Sequence, residues 1–176
     1  MPELPEVETV MRGLAAVLQG HRIVEVDLRR EGLRFPFPPG LARRVEGRRV
    51  TSFRRRAKYM LMRLDGGESL LIHLGMSGRM VARRAGEAAM PRLGPQGAAS
   101  DARGHNAPPE AHEHLVLVTD HGWRVGFVDP RRFGAVDLVP TEAEEAHRLL
   151  SGLGPEPLDD AFTPALLSAA LAGKRT

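Results

Sequence analysis

The sequence predicts an α+β fold, an antiparallel β-sandwich with flanking helices, on three observations. Short runs that read as strands recur from Arg22 to Val139, with turn signals between them. An amphipathic helix precedes them, because Val7, Val10, Leu14 and Val17 fall at helical spacing. A second helical signal follows them from Thr163. Strands in series bury one face against another layer, so the first helix is expected to pack on the sheet. The strand pattern alone leaves a single meander open beside the sandwich.

In order along the chain, Pro5 has the backbone angle of a first helical position, Glu6 and Glu8 suit the first turn, and Gly20 ends the helix. Arg22 to Arg29 alternates Val24, Val26 and Leu28 with Glu25 and Asp27, which predicts a half-buried strand. Phe35-Pro36-Phe37-Pro38-Pro39-Gly40 breaks the pattern and reads as loop. Strands are expected over Val50 to Arg55, Tyr59 to Leu64, Ser69 to Leu74 and Arg79 to Arg83, with Asp65-Gly66-Gly67 as a hairpin. Arg84 to Glu110 is rich in Gly, Ala and Pro without period and reads as a surface loop. His114 to Asp120 and Trp123 to Asp129 form a hairpin across Asp120-His121-Gly122, and Ala135 to Val139 adds a last strand.

Thr141 and Glu144 read as the capping box of a helix reaching about Ser151. Gly154-Pro155-Glu156-Pro157 reads as a linker. Thr163 as cap, Pro164 at the first position and Leu166, Leu167, Ala170 and Leu171 then start another helix, stopped near Gly173. That helix has an apolar face and no later helix to cover it, so the sequence is expected to be a fragment or a truncated product. The expected division is 1–139 for a first domain and 140–176 for a linker helix and the beginning of a second.

Composition narrows the function classes. The chain has 176 residues and no cysteine, which excludes disulfides and cysteine-based zinc sites within it. No apolar run approaches a membrane span and no signal-peptide pattern opens the chain, so a cytoplasmic protein without a membrane partner is expected. The formal charge of +3 hides an asymmetry. From Arg22 to Arg63 there are thirteen basic and four acidic residues, whereas Thr141 to Asp160 has six acidic and one basic. A basic first half suits a phosphate-rich partner or a solvated arginine surface. Of 25 basic residues only Lys58 and Lys174 are lysines. An ammonium can lose its proton where a guanidinium cannot, which singles Lys58 out for chemistry.

The first residues carry the strongest chemical signal. A small second residue lets the initiator methionine be trimmed, and the chain would then begin with the secondary amine of Pro2. An α-amino group titrates near ~7.7–8.0 against ~10.4 for lysine, so much of it is neutral and nucleophilic at physiological pH. Glu3 and Glu6 lie beside it. Read without this chemistry, the same residues make an ordinary capped helix.

Met1-Pro2-Glu3-Leu4-Pro5-Glu6-Val7-Glu8-Thr9 resembles the opening of the bacterial formamidopyrimidine-DNA glycosylases, which excise oxidised purines from DNA. Four further segments follow in the family's order: Arg55-Arg56-Ala57-Lys58-Tyr59, His73-Leu74-Gly75-Met76-Ser77-Gly78, Asp129-Pro130-Arg131-Arg132-Phe133-Gly134 and Leu153-Gly154-Pro155-Glu156-Pro157-Leu158. The related endonuclease VIII branch usually has glycine where this chain has Leu4, which favours the oxidised-purine branch.

The resemblance implies a bifunctional glycosylase and apurinic/apyrimidinic lyase acting on damaged double-stranded DNA as a monomer. It makes Pro2 the amine that forms a Schiff base, Glu3 a proton donor, Glu6 a support, and Lys58 a proton donor in β-elimination and a phosphate contact. Met76, Arg131 and Phe133 match residues that fill the gap left by an everted nucleotide, with Arg131 facing the widowed cytosine. His112 and Arg175 match DNA contacts. It also implies a helix-two-turn-helix module, of which only the start is in this sequence, and a zinc finger, which is not, so no cofactor is expected. The finger's arginine has no counterpart here, which puts complete δ-elimination in doubt. On the residues alone, Met76 and Phe133 could be core, and His112-Glu113-His114 could hold a metal but lacks a third ligand in view. Two competing readings are a catalytically silent DNA-binding remnant and a small-molecule enzyme using an N-terminal proline as general base.

Overall fold

A computed structural model describes residues 2–84 and 111–173. It contains helix α1 (Leu4–Leu18), strand β1 (Ile23–Leu28), helix α2 (Leu41–Val45) and strands β2 (Val50–Arg56), β3 (Tyr59–Leu64), β4 (Glu68–His73) and β5 (Arg79–Arg84). Strands β6 (Glu113–Thr119), β7 (Trp123–Val128) and β8 (Ala135–Pro140) follow, then a 3₁₀ turn over Thr141–Ala146 and helix α3 (Pro164–Leu171). The strands form two four-stranded antiparallel sheets, in the orders β1-β6-β7-β5 and β2-β3-β4-β8. Among the described residues, no helix is long and apolar enough to cross a membrane.

Burial of alternate side chains on two covered faces explains the apolar runs Met60-Leu61-Met62 of β3 and Leu70-Leu71-Ile72 of β4. Met60, Met62, Leu64, Leu70 and Ile72 face the main core with Leu115, Leu117, Val125 and Phe127 of the other sheet. Leu61 and Leu71 point the opposite way, into a second cluster with Val139 and Leu150 that Tyr59, Leu149 and Leu153 flank. Both faces of this sheet are therefore covered, one by the sandwich core and one by the segment after β8. Val7, Val10, Leu14, Val17 and Leu18 of α1 join the main core, as the helical spacing predicted.

Two local expectations are corrected, and one short helix is added to them. β1 buries Ile23 and Val26 while Val24 is 51% exposed, because a register irregularity between Ile23 and Glu25 shifts the alternation. After the Pro-rich loop, Gly40 at φ +68° caps the five-residue α2, a helix too short to show a period in the sequence. The helix expected from Thr141 to Ser151 is a 3₁₀ turn ending at Ala146. Its supposed capping carboxylate is used elsewhere: Glu144 accepts from Arg54, Arg63 and Ser69. α3 does form where expected, with the Thr163 hydroxyl accepting from the Leu166 N–H. The proposed surface loop, apart from Arg84 in β5, lies outside the described residues.

Candidate active site

The N-terminal turn is built by proline and carboxylate chemistry together. Pro2 is buried, and the exposed Glu3 takes the N-cap position of α1 in extended backbone. The Glu6 carboxylate turns back and accepts the Glu3 N–H at 3.1 Å, half of a capping box placed where the helix dipole favours negative charge. The Glu3 carboxylate in turn meets Lys58, Oε2 to Nζ 2.7 Å, so residues far apart in sequence share one ion pair beside Pro2. Lys58 is 29% exposed and Glu3 57%, which leaves both accessible to a ligand.

Lys58 is held by an unusual hairpin. Arg56 pairs with Tyr59, so Ala57 and Lys58 are a two-residue loop, and Ala57 sits at φ +47° where glycine is the usual residue. One carboxylate compensates. Glu156 accepts the Ala57 N–H and pairs with Arg55 at 2.7 Å and Arg56 at 2.9 Å. Burial opposes ionisation of Glu156, but the Ala57 N–H and the two guanidiniums hold its carboxyl below the ordinary value. Arg55 also meets Glu8 of α1 at 2.8 Å, and Arg56 donates to the Gly154 carbonyl at 2.7 Å. The segment that reads as a linker is thus fastened to the back of the Lys58 turn.

Two further turns leave the same end of the sheet. Tyr59, His73 and Ala135 form one row across β3, β4 and β8, so Lys58, the turn after His73 and the loop before Ala135 emerge together. Burial, then the charges of Arg34 and Lys58, push the His73 imidazole below its ordinary value, and its neutral Nδ1 accepts the Gly75 N–H at 3.1 Å. A Cβ on Gly75, which has φ +66°, would come within 2.5 Å of the Phe133 backbone. Only glycine lets the Met76 turn lie against the Phe133 loop.

Asp129 organises both loops from a fully buried position. One of its oxygens accepts from the Ser77 hydroxyl at 2.7 Å and the Arg131 N–H at 3.3 Å, and the other accepts from the Gly134 N–H at 2.8 Å. Its N–H donates to the His112 carbonyl at 3.0 Å, and its own carbonyl meets the His114 Nε2 at 2.9 Å. The result presents Met76 and Phe133, each 44% exposed, with the Arg131 guanidinium 4.7 Å from the Phe133 ring centre. Neither residue is core. An exposed thioether and a cation-backed aromatic can stack between bases.

Of the residues singled out in the sequence, Glu3, Glu6 and Lys58 come together beside Pro2, and Met76, Arg131, Phe133 and His112 gather on neighbouring turns. Arg175 lies outside the described residues. His112, Glu113 and His114 do not form a metal site: His114 is bonded to Asp129, while the buried Glu113 faces Arg29, Arg83 and Arg124. Sequence reasoning missed Asp129, Ser77, His73 and Glu156 as site builders. A carboxylate inside an otherwise cationic Asp-Pro-Arg-Arg-Phe-Gly loop was the one available signal.

Residues 1–136 match the family profile described as the formamidopyrimidine-DNA glycosylase N-terminal domain. The whole chain aligns at 56% identity with 56% of the formamidopyrimidine-DNA glycosylase of Acidiphilium cryptum, and at 54% identity with 57% of that of Gluconobacter oxydans. The chain spans a little over half the length of these curated relatives. Among solved structures, 97% of it superposes on 55% of the Lactococcus lactis Fpg chain in a complex with DNA containing an abasic site, with TM-score 0.77 and 25% identity. A complex of the wild-type Lactococcus lactis protein with DNA containing N7-benzyl-Fapy-dG gives the same TM-score at 26% identity. The two-sheet fold, the residue match and the sequence identity agree, and the chain belongs to the formamidopyrimidine-DNA glycosylase family.

Proposed function

We propose that this chain carries the chemical half of a DNA glycosylase and AP lyase that removes oxidised purines, such as 8-oxoguanine and formamidopyrimidines, from double-stranded DNA. The observation that carries the reading is the Glu3–Lys58 pair at 2.7 Å, set next to Pro2 and at the same end of the sheet as the exposed Met76, Arg131 and Phe133. Residues 1–139 supply these groups, and 140–176 begin a helical DNA-binding part. The relatives' relation to damaged DNA supports the choice of substrate.

In this reading the amine of Pro2, freed by loss of Met1, attacks the deoxyribose C1′. The glycosidic C–N bond breaks and the base leaves with the bonding pair. The proton shed by the attacking amine passes to the Glu3 carboxylate and from there to the ring oxygen as the sugar opens, and the C1′–N bond becomes an iminium. The iminium acidifies the C2′ proton, whose loss expels the 3′ phosphate, with Lys58 as proton donor to the departing oxygen. Glu6 holds the Glu3 backbone. Met76, Arg131 and Phe133 occupy the space of the everted nucleotide, with His112 on the phosphate backbone. Arg175 is assigned there by resemblance. None of these steps draws on a cofactor.

Borohydride trapping on a duplex with one abasic site tests the reading, because such DNA bypasses base recognition. A covalent adduct with the chain lacking Met1 is expected, absent in Pro2→Thr and after N-terminal blocking. A folded, trimmed chain that binds the duplex and forms no adduct would be the silent DNA-binding alternative.

A further inference from the structure

We propose that His21, Asp120 and His121 form a surface site for a first-row divalent cation of the zinc type. The three come from two corners of the fold. His21 lies between α1 and β1, and Asp120 and His121 form the turn between β6 and β7. One ligand atom from each residue lies within 4.8 Å of the others. The two imidazole rings are 4.2 Å apart between centres and tilted by 45°. The His21 Nδ1 is 3.7 Å from the Asp120 Oδ1, too long for a hydrogen bond and close to the ~3.3 Å that separates ligand atoms around tetrahedral zinc with bonds of about 2.0–2.1 Å. The His121 side chain is exposed and belongs to the same 4.8 Å group.

The backbone holds these corners together without help from an ion. The Arg22 N–H donates to the Asp120 Oδ1 at 3.1 Å, and the Asp120 N–H donates to the Arg22 carbonyl at 2.9 Å. The Val50 N–H fixes the His21 carbonyl at 2.9 Å. Gly122, at φ +79°, closes the other turn onto the Thr119 carbonyl at 3.0 Å. The neighbouring cations Arg22, Arg49 and Arg84 donate to the Gly47, Gly20 and His121 carbonyls. A cation therefore meets ligands already placed by the fold.

Two imidazoles and a carboxylate suit zinc, nickel or copper rather than magnesium or calcium, which prefer all-oxygen shells. Three protein ligands leave at least one position for water. The site is not part of the proposed DNA chemistry. It lies at the opposite end of α1 from Pro2, and a helix of 15 residues spans about 22 Å. A bound ion would tie the α1–β1 corner to the β6–β7 hairpin.

The test uses the untagged 176-residue chain and Zn²⁺ alone, with no DNA. Calorimetric titration should show one site, and zinc should raise the melting temperature. His21→Ala and His121→Ala should each weaken binding by more than ~10-fold, since even outer-shell partners of a metal cost 10–100-fold. The double variant should lose the melting shift while its metal-free melting temperature and circular dichroism stay as in the parent. His112→Ala should bind as the parent does. No zinc binding by the parent, or a binding constant and melting shift unchanged in the double variant, would overturn the proposal.

Discussion

Two groups of arginines contrast in this molecule, one at the back of the β2–β3 hairpin and one on the loop after β7. At the back, Arg54, Arg55, Arg56 and Arg63 are each paired with carboxylates from the acidic stretch, namely Glu144, Glu145 and Glu156. At the front, Arg131 stacks on Phe133 and, among the described residues, has no carboxylate partner. Part of the charge asymmetry of the sequence is therefore an internal neutralisation. Cationic density by itself overstates the surface left for a phosphate-rich partner.

Variants at the two ends should separate function from stability. The largest effect is expected at Glu3. Glu3→Gln should slow base release by at least ~10²-fold, the scale of a lost general acid, with little change in melting temperature. Rapid-quench assays on duplex containing 8-oxoguanine would check this, and an equal loss of stability would erase the contrast between the ends.

At the back, Glu144→Ala should cost about 1–3 kcal/mol in urea unfolding, because it removes the buried carboxylate that Arg54, Arg63 and Ser69 share, while Arg54 keeps Glu145 and both guanidiniums reach solvent. The same carboxyl sets an acid limit. Burial works against its ionisation, yet hydrogen bonds from Arg63, Ser69 and Arg54 lower it from 4.5 to about 2. A carboxyl lowered on folding stabilises fully above 4.5, and that contribution drains away as pH falls toward about 2. Melting temperature should drop steeply across this window, and Glu144→Gln should flatten the slope.

Glu156→Gln joins the two ends and should have an intermediate effect. The amide can still accept the Ala57 N–H but loses the ionic bond to Arg55 and Arg56, so Lys58 should be less well placed. Strand cleavage after base release should slow about 10-fold while melting changes by only a few degrees. Smallest is Met76→Ala. Its side chain is exposed, so stability should hold within about 0.5 kcal/mol while affinity for lesion-containing duplex falls several-fold.

Much of the fold was legible because apolar periodicity reports burial directly. The spacing of Val7, Val10, Leu14 and Val17 gave α1, and the hairpin residues Asp65-Gly66-Gly67 and Asp120-His121-Gly122 separated strands correctly. Val24 misled because an irregularity in pairing is invisible in a local alternation. Glu144 misled for a different reason. A carboxylate three residues after a threonine fits a local cap, and nothing nearby in sequence reveals two arginines on other strands that bind it more strongly. In the site, the family motifs singled out Pro2, Glu3 and Lys58, which the fold brings together, but the groups that place them act across long separations. Asp129 reaches Ser77, and Glu156 reaches Ala57, through contacts only the folded chain creates.

Glu156 also imposes an order of events on synthesis. The Ala57–Lys58 turn is near the start of the chain, but the carboxylate that satisfies its left-handed alanine comes about a hundred residues later. While the ribosome is still making the intervening strands, that hairpin has an unmet N–H, Arg55 has only Glu8 as a partner, and Arg56 still lacks its carboxylates. Contacts of such long sequence separation form late. The lysine turn should therefore be among the last parts of the first sheet to settle, acquiring its final geometry only when residues 154–157 have emerged and docked.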